Sequence, residues 1–357
     1  MARIPVRTAQ STYDVVVERG CVESAGAHIR RRPLVVTSEP VWRHQGARLE
    51  RGLAATGFAR VVMPDGEEHK RLATVEALAA KLVAAGADRS SLLVAFGGGV
   101  VSDVGGFLAA VYMRGLEVVH IPTTLLAQVD AAIGGKTGVN LAAGKNLIGA
   151  FHQPSLVLVD PAALDTLPER EYRAGLYEVI KCAVIASPSL FELLAARREE
   201  VLRRAPDAVE ALITESIRIK AEVVSADERE SDLRRVLNFG HTLGHALEAA
   251  TSYQRLLHGE AVAFGMRAAA LLAEKAGLLA TADRAAIHSL LDAYGPIPAL
   301  AGVHAEDLLA RLGADKKTVA GKVHFVLPER IGKTRVVSGL DPALIRAAAE
   351  EALAAGL

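Results

Sequence analysis

Short apolar runs alternate with longer amphipathic stretches through the first half of the chain. Residues 34–37 form a β-branched apolar run, and residues 41–56 follow with helical spacing. Residues 60–63 read as the next strand, 74–85 as a helix ended by Gly86, and 91–96 as an apolar strand closed by Gly97, Gly98 and Gly99. Residues 118–121 and 156–159 add two more strands. Strands separated by helices predict a parallel sheet covered on both faces. Past Thr166 the pattern changes. From Glu169 to Arg311, Ala, Leu, Glu and Arg recur at helical spacing, punctuated by Pro188, Pro206 and the Gly295–Pro296 pair. Residues 322–327 and 334–337 read as a hairpin around Gly332, before a last helix. The expected fold is an α/β, Rossmann-like N-terminal domain with a parallel sheet, residues 1–168, then a mainly α-helical C-terminal domain, residues 169–357.

Composition narrows the function classes. Of 357 residues, 51% are hydrophobic, enough for a sizeable core. Lys+Arg and Asp+Glu balance at 41 each, which gives no argument for a nucleic-acid or membrane-surface partner. No apolar run approaches the ~18 residues of a membrane helix, and M-A-R-I-P-V-R-T-A-Q lacks an apolar signal core. Cys21 and Cys182 are too few for a disulfide framework and read as small buried hydrophobes. These features predict a cytoplasmic protein with a small-molecule partner.

The candidate chemistry lies in several segments. N-F-G-H-T-L-G-H-A-L-E is followed by H-G-E, placing His241, His245, His258 and Glu260 among apolar and small residues. At ~3.6 residues per turn, His241 and His245 share a helix face, and His258 can fold back to it after a break at Thr251 and Ser252. Imidazoles so spaced suit a metal such as zinc, with a carboxylate still needed from elsewhere. The first His lacks the following Glu of a zinc-protease helix. Two partly solvated histidines beside an unrelated third would give the same pattern. Glu178 and Lys181 stand one turn apart in G-L-Y-E-V-I-K. They read either as an exposed ion pair worth less than ~1 kcal/mol or as the missing carboxylate with its neighbour.

Gly97, Gly98 and Gly99 lead into V-V-S-D-V-G-G-F, with Asp103 expected in the first helical turn and Gly105 and Gly106 permitting close packing. Such a turn brings backbone N–H groups and a helix dipole to a phosphate, or is simply a tight strand-to-helix connection. It lacks the G-x-G-x-x-G fingerprint. Residues 121–140, I-P-T-T-L-L-A-Q-V-D-A-A-I-G-G-K-T-G-V-N, then bring Thr123, Thr124, Asp130 and Lys136, with Lys145 and Asn146 just beyond, into a glycine-rich stretch expected to lack regular structure. Charges there suit phosphate or carboxylate recognition, against a solvated loop. P-D-G-E-E-H-K at 64–70 and Asp315, Lys316 and Lys317 read alone as solvated charged turns.

Taken in order, these segments resemble the 3-dehydroquinate synthase family of the sugar-phosphate cyclase superfamily. The likeness covers nearly the whole chain and adds Y-M-R-G, G-K-N-L-I-G-A-F and H-G-E-A-V to the motifs already quoted. The resemblance implies a zinc or cobalt ion held by Glu178, His241 and His258, with His245 facing the substrate. It implies NAD bound over Asp65, Gly66, Glu67, Glu68, His69, Lys70, Gly98, Gly99, Val100, Val101, Ser102, Asp103, Thr123, Thr124, Lys136, Lys145, Ala163, Leu164, Asp165 and Thr166. Substrate contacts carried over are Asp130, Lys136, Asn146, Lys181, Lys220, Arg234, Asn238, His245 and one of Lys316 and Lys317. Arg114 matches an arginine lent across a homodimer. The implied reaction turns 3-deoxy-D-arabino-heptulosonate 7-phosphate into 3-dehydroquinate and phosphate. Its steps are transient NAD-dependent oxidation, phosphate β-elimination, reduction, ring opening and aldol closure. Lys136, Asn146 and His245 would offset phosphate charge, and Arg234 and Lys220 would hold the carboxylate. Two departures stand out: Thr37-Ser38-Glu39 where the family has an Asp for the adenosine ribose, and K-C-A at 181–183. Rival expectations are a related cyclase of the amino-dehydroquinate type and a metal-dependent polyol dehydrogenase.

Overall fold

The apolar runs of the first half become strands of one sheet. The computed structural model describes residues 1–9, 11–312 and 323–356. In chain order the first elements are β1 (Ala2–Arg7), β2 (Thr12–Val17), β3 (Pro33–Ser38), α1 (Glu39–Gly52), β4 (Ala59–Met63), α2 (Leu72–Ala84), β5 (Leu92–Gly97), α3 (Gly99–Val111), β6 (Glu117–Pro122), β7 (Lys136–Leu141), β8 (Gly144–Phe151) and β9 (Leu156–Val159). The main sheet runs β1-β2-β9-β6-β5-β3-β4. Every neighbouring pair from β2 to β4 is parallel, and β1 lies antiparallel at one edge. Successive side chains of a strand face opposite sides, and two apolar clusters follow from that. Leu34, Val36, Leu93 and Ala95 pack with α2 and α3 residues such as Leu78 and Val104. Val35, Leu92, Val94 and Phe96 pack on the other face with Leu49 of α1 and Val22. The expected α/β domain with a helix-covered parallel sheet is therefore present.

Then follow α4 (Glu169–Ala186), α5 (Pro188–Ala196), α6 (Arg198–Leu202), α7 (Pro206–Ala226), α8 (His241–Ala250), α9 (His258–Lys275), α10 (Thr281–Ala293), α11 (Ala305–Leu312), the strands β10 (His324–Arg330) and β11 (Lys333–Ser338), and α12 (Pro342–Ala355). The helical second half is as expected. By internal contacts the chain forms two compact units, Met1–Pro168 with Val209–Arg229, and Glu169–Ala208 with Glu230–Leu357, so most of α7 belongs to the first. None of the described helices is long and apolar enough to cross a membrane.

One expectation is corrected. The glycine-rich stretch around Lys136 and Asn146 is not irregular: β7 and β8 form an antiparallel hairpin. Its glycines let the strands approach rather than break them. A Cβ at Gly149 would lie 2.2 Å from the Thr137 carbonyl oxygen, and one at Gly138 2.7 Å from that of Ile148. The helix expected at 41–56 ends at Gly52, whose Cβ would meet the Val22 carbonyl oxygen at 2.1 Å.

Candidate functional site

Glycines set the geometry of the second unit. A Cβ at Gly265 of α9 would lie 1.7 Å from the Gly240 carbonyl oxygen, and one at Gly244 of α8 2.8 Å from that of Ala261, so α8 and α9 pack nearly backbone to backbone. Gly240 itself has φ +79°, a left-handed conformation at the start of α8 that favours glycine. At the start of α9, a Cβ on Gly259 would lie 1.9 Å from the Ala174 carbonyl oxygen of α4. These contacts bring His241 and His245 of α8 beside His258 of α9, with ring centroids 5.2–5.9 Å apart. One nitrogen from each ring falls within 4.8 Å of the others.

Glu178 projects from α4 toward the same rings. Its Oε1 lies 3.8 Å from His241 Nε2 and 3.6 Å from His258 Nε2. The residue is 0% exposed and neither carboxylate oxygen has a hydrogen bond of normal geometry. Lys181 Nζ lies against Oε2, itself buried. The exposed-ion-pair alternative is therefore excluded by burial. Two atoms bound to one tetrahedral ion at ~2.0–2.2 Å stand about 3.4 Å apart, so these spacings fit a shared cation with small adjustment.

The surroundings also fix which ring nitrogens face inward. His241 Nδ1 is 3.1 Å from the Phe239 carbonyl oxygen. A carbonyl only accepts, so Nδ1 carries the proton and Nε2 keeps its lone pair toward Glu178. His258 Nδ1 faces Glu248 Oε1 at 3.5 Å, and Glu248 is buried at 2% exposure. Carboxylates and carbonyls behind imidazoles are the usual supports of metal-ligating histidines. Glu248 was missed from the sequence, although 241, 245 and 248 share a helix face. Glu260 has a different job. Arg170 grips it through Nε–Oε1 at 2.7 Å and Nη2–Oε2 at 2.8 Å, and Leu257 N donates to Oε2 at 2.7 Å, so it caps α9 and holds His258 at the helix start. Nearby in this unit, Arg234 is 1% exposed and Asn238 Nδ2 donates to Glu230 Oε1 at 2.7 Å.

In the first unit, α3 begins at Gly99, directly after β5, with its N-terminal N–H groups at the glycine turn. A Cβ on Gly105 would lie 2.9 Å from Ala95 Cβ and one on Gly106 2.5 Å from Thr137 Cγ2, the close packing the sequence suggested. Asp103 lies beyond the first turn of α3, not within it as expected, and pairs with Lys70. Burial pushes its carboxyl above the usual range, while the Lys70 charge opposes that shift. Gly66 opens the 65–70 turn with φ +103°. Thr123 N donates to the Gly97 carbonyl oxygen at 2.9 Å, and Thr124 Oγ1 accepts from Ala127 N at 3.2 Å.

Ala163, Leu164, Asp165 and Thr166 sit on a six-residue 3-10 helix capped by Asp160, where Gln45 Nε2 donates to Ala163 O at 3.2 Å and Thr166 Oγ1 at 2.6 Å. Lys220 of α7 donates to the Asp130 carbonyl at 2.5 Å and pairs with its carboxylate, joining two expected substrate contacts. Lys136 and Asn146 are exposed, and Lys145 lies 4.0 Å from Glu67 Oε1. Tyr13 Oη, also missed from the sequence, accepts from Gly134 N at 3.0 Å just before Lys136. At the departure from the family pattern, Thr37 and Ser38 are buried and Glu39 is exposed at the start of α1. Arg114 is exposed on a turn with φ +70°. Lys316 and Lys317 lie outside the described residues.

Comparisons with known proteins agree with one another. Residues 60–174 match the family model for the 3-dehydroquinate synthase N-terminal region and residues 175–318 that for its C-terminal region. A 3-dehydroquinate synthase of Solibacter usitatus is 58% identical over 98% of this chain and 99% of its own length. Among solved structures, the 2-epi-5-epi-valiolone synthase ValA of Streptomyces hygroscopicus, with NAD+ and Zn2+ bound, is 32% identical with a TM-score of 0.90 over 97% of this chain and 98% of its own. A 2-deoxy-scyllo-inosose synthase complexed with carbaglucose-6-phosphate, NAD+ and Co2+ is 26% identical with a TM-score of 0.89 over 98% of this chain and 99% of its own.

Proposed function

We propose, from the premise that the chain belongs to the 3-dehydroquinate synthase family, that it converts 3-deoxy-D-arabino-heptulosonate 7-phosphate to 3-dehydroquinate and phosphate. The observation that carries the site assignment is the buried Glu178 carboxylate facing two Nε2 atoms, those of His241 and His258. These three residues would hold a zinc or cobalt ion. When bound, such an ion lowers the proton affinity of a substrate hydroxyl and so favours its oxidation. NAD would lie on the first unit at the α3 N-terminus, the 65–70 turn, Thr123, Thr124, Lys136, Lys145 and residues 163–166; it supplies a reversible hydride acceptor. The metals and NAD+ carried by the two solved relatives support both assignments.

The chain's own residues have distinct tasks. Lys181 balances the charge of Glu178, while the Phe239 carbonyl and Glu248 orient the two imidazoles. Unpaired N–H groups at the start of α3 suit a diphosphate. Lys136, Asn146 and His245 would offset the substrate phosphate charge, which grows as the phosphate leaves. The Arg234 guanidinium, buried and planar, suits the substrate carboxylate in two-point fashion. Lys220 would share the carboxylate, and Asp130, which it already contacts, would orient a hydroxyl.

The reading places the protein in the cytoplasm as a homodimer. Exposed apolar side chains, Val111 and Met113 beside Arg114 in sequence and Leu141, Leu147 and Phe151 on the β7–β8 hairpin, suit contact with a second copy. One experiment tests the reaction. The chain is incubated with NAD+, zinc or cobalt, and a panel of sugar phosphates and polyols, with released phosphate and reduced cofactor both followed. Rapid phosphate release from the seven-carbon keto-acid phosphate alone, without net NADH, is expected. Accumulating NADH on a polyol, or preference for an amino analogue, contradicts it. Light scattering on the same preparation should give a dimer; a monomer excludes the shared-arginine assignment.

A further inference from the structure

We infer that Asn140 is a positioning residue that holds the nucleotide-binding turn 65–70 and the substrate-binding residues at the start of β8 in one register. The roles of those segments come from the function proposed above, on which the inference rests. β7 and β8 pair regularly from Lys136–Phe151 to Val139–Ile148, and the register shifts before Leu141–Gly144. Asn140 is the residue at the shift. Such an irregularity releases a residue from the ladder and re-aims its side chain.

Three of its polar groups make hydrogen bonds outside the ladder. The Asn140 backbone N–H donates to the Lys70 carbonyl oxygen at 2.7 Å. Its Nδ2 donates to Glu67 Oε1 at 2.8 Å, and its Oδ1 accepts from Asn146 N at 2.9 Å. The partners fix the amide orientation, because a carboxylate only accepts and a backbone N–H only donates. The residue is 8% exposed, so water competes little for these bonds. Asn146 has φ +52°, a left-handed conformation that asparagine tolerates and that this bond helps to hold. Lys145, the residue before Asn146, approaches the same Glu67 oxygen. Aspartate at 140 would set a second carboxylate against Glu67, and alanine would leave both Glu67 and the Asn146 N–H without this partner.

The test uses the full chain loaded with zinc. Calorimetry reads the Kd for NAD+, and phosphate release reads the KM for the keto-acid phosphate. Asn140→Asp keeps the acceptor for Asn146 but opposes Glu67. NAD+ binding should weaken about tenfold, the size of one hydrogen bond to a charged group, with KM held within about threefold. Asn140→Ala should raise both constants about tenfold. Combining Asn140→Asp with Glu67→Gln remakes the bond with donor and acceptor exchanged. NAD+ affinity should then return to that of Glu67→Gln alone, and this pair carries the test if Asn140→Asp does not fold. A purely structural role would lower the melting temperature and the active fraction but leave both constants of the surviving enzyme unchanged. That result, or additive losses in the double variant, overturns the inference. Lys145→Ala and Asn146→Ala separate the levels. If they leave Kd and KM unmoved, the proposed site assignment fails. If they act while Asn140 variants are silent, only the inference fails.

Discussion

Glu178 shows what a single position can and cannot declare. Its one-turn spacing from Lys181 fits a solvated ion pair as well as a ligand. What separates the two is burial, to which a residue 81 positions later contributes: Gly259 lets α9 close on Ala174, one turn before Glu178. Glu248 was legible in principle, because 241, 245 and 248 follow helical spacing. Asn140 was not, since two of its three partners, Glu67 and Lys70, come from a distant turn, 73 and 70 residues before it. His120 carries a prediction at this scale. It sits on β6 at 3% exposure, with Nδ1 lacking a hydrogen bond. Burial, then the neighbouring His152, lowers its pKa to about 4. The unfolded chain takes up that proton first, near pH ~6.5. Its contribution to stability is therefore complete above that pH and is lost as pH falls toward about 4. The difference in unfolding free energy between wild type and His120→Asn should shrink by at most ~1.4 kcal/mol per pH unit over this window. Parallel curves would show that the buried imidazole does not govern acid sensitivity.

At the scale of elements, runs that are apolar and β-branched were the clearest part of the sequence. β3, β5, β6 and β9 lie where residues 34–37, 91–96, 118–121 and 156–159 predict them. The β1–β2 pair and the β7–β8 hairpin were not read. β1 and β2 interleave Arg3, Arg7 and Asp14 as an edge allows, and β7–β8 is rich in residues that usually break strands. Those glycines act through contact rather than freedom. The same logic gives a prediction for α9. Gly259→Ala would drive a Cβ to 1.9 Å from a backbone oxygen of α4, a clash that no rotamer relieves. It should destabilise by ~1–3 kcal/mol or more and lower the bound metal per chain, because α9 carries His258. Melting and metal content together check this. An unchanged pair of values would mean that the helix start does not set the histidine's place.

For the molecule as a whole, no local pattern joins residues 178, 241 and 258. Each lies on its own helix, α4, α8 or α9, and only the folded second unit brings them together. What the sequence did carry was the order of many short motifs, enough to identify the family although several of them are weak alone. In the proposed site one cation would be gripped by Glu178, His241 and His258, with His245 left for the substrate. Metal content and phosphate release are measured together in the wild type and in Glu178→Gln, His258→Ala and His245→Ala. The wild type should bind about one ion per chain, as a single three-ligand site would. Glu178→Gln and His258→Ala should lose ion and turnover together, and His245→Ala should keep the ion while losing turnover. Full metal and turnover in His258→Ala, or loss of metal in His245→Ala with retention in Glu178→Gln, would rule this ligand set out.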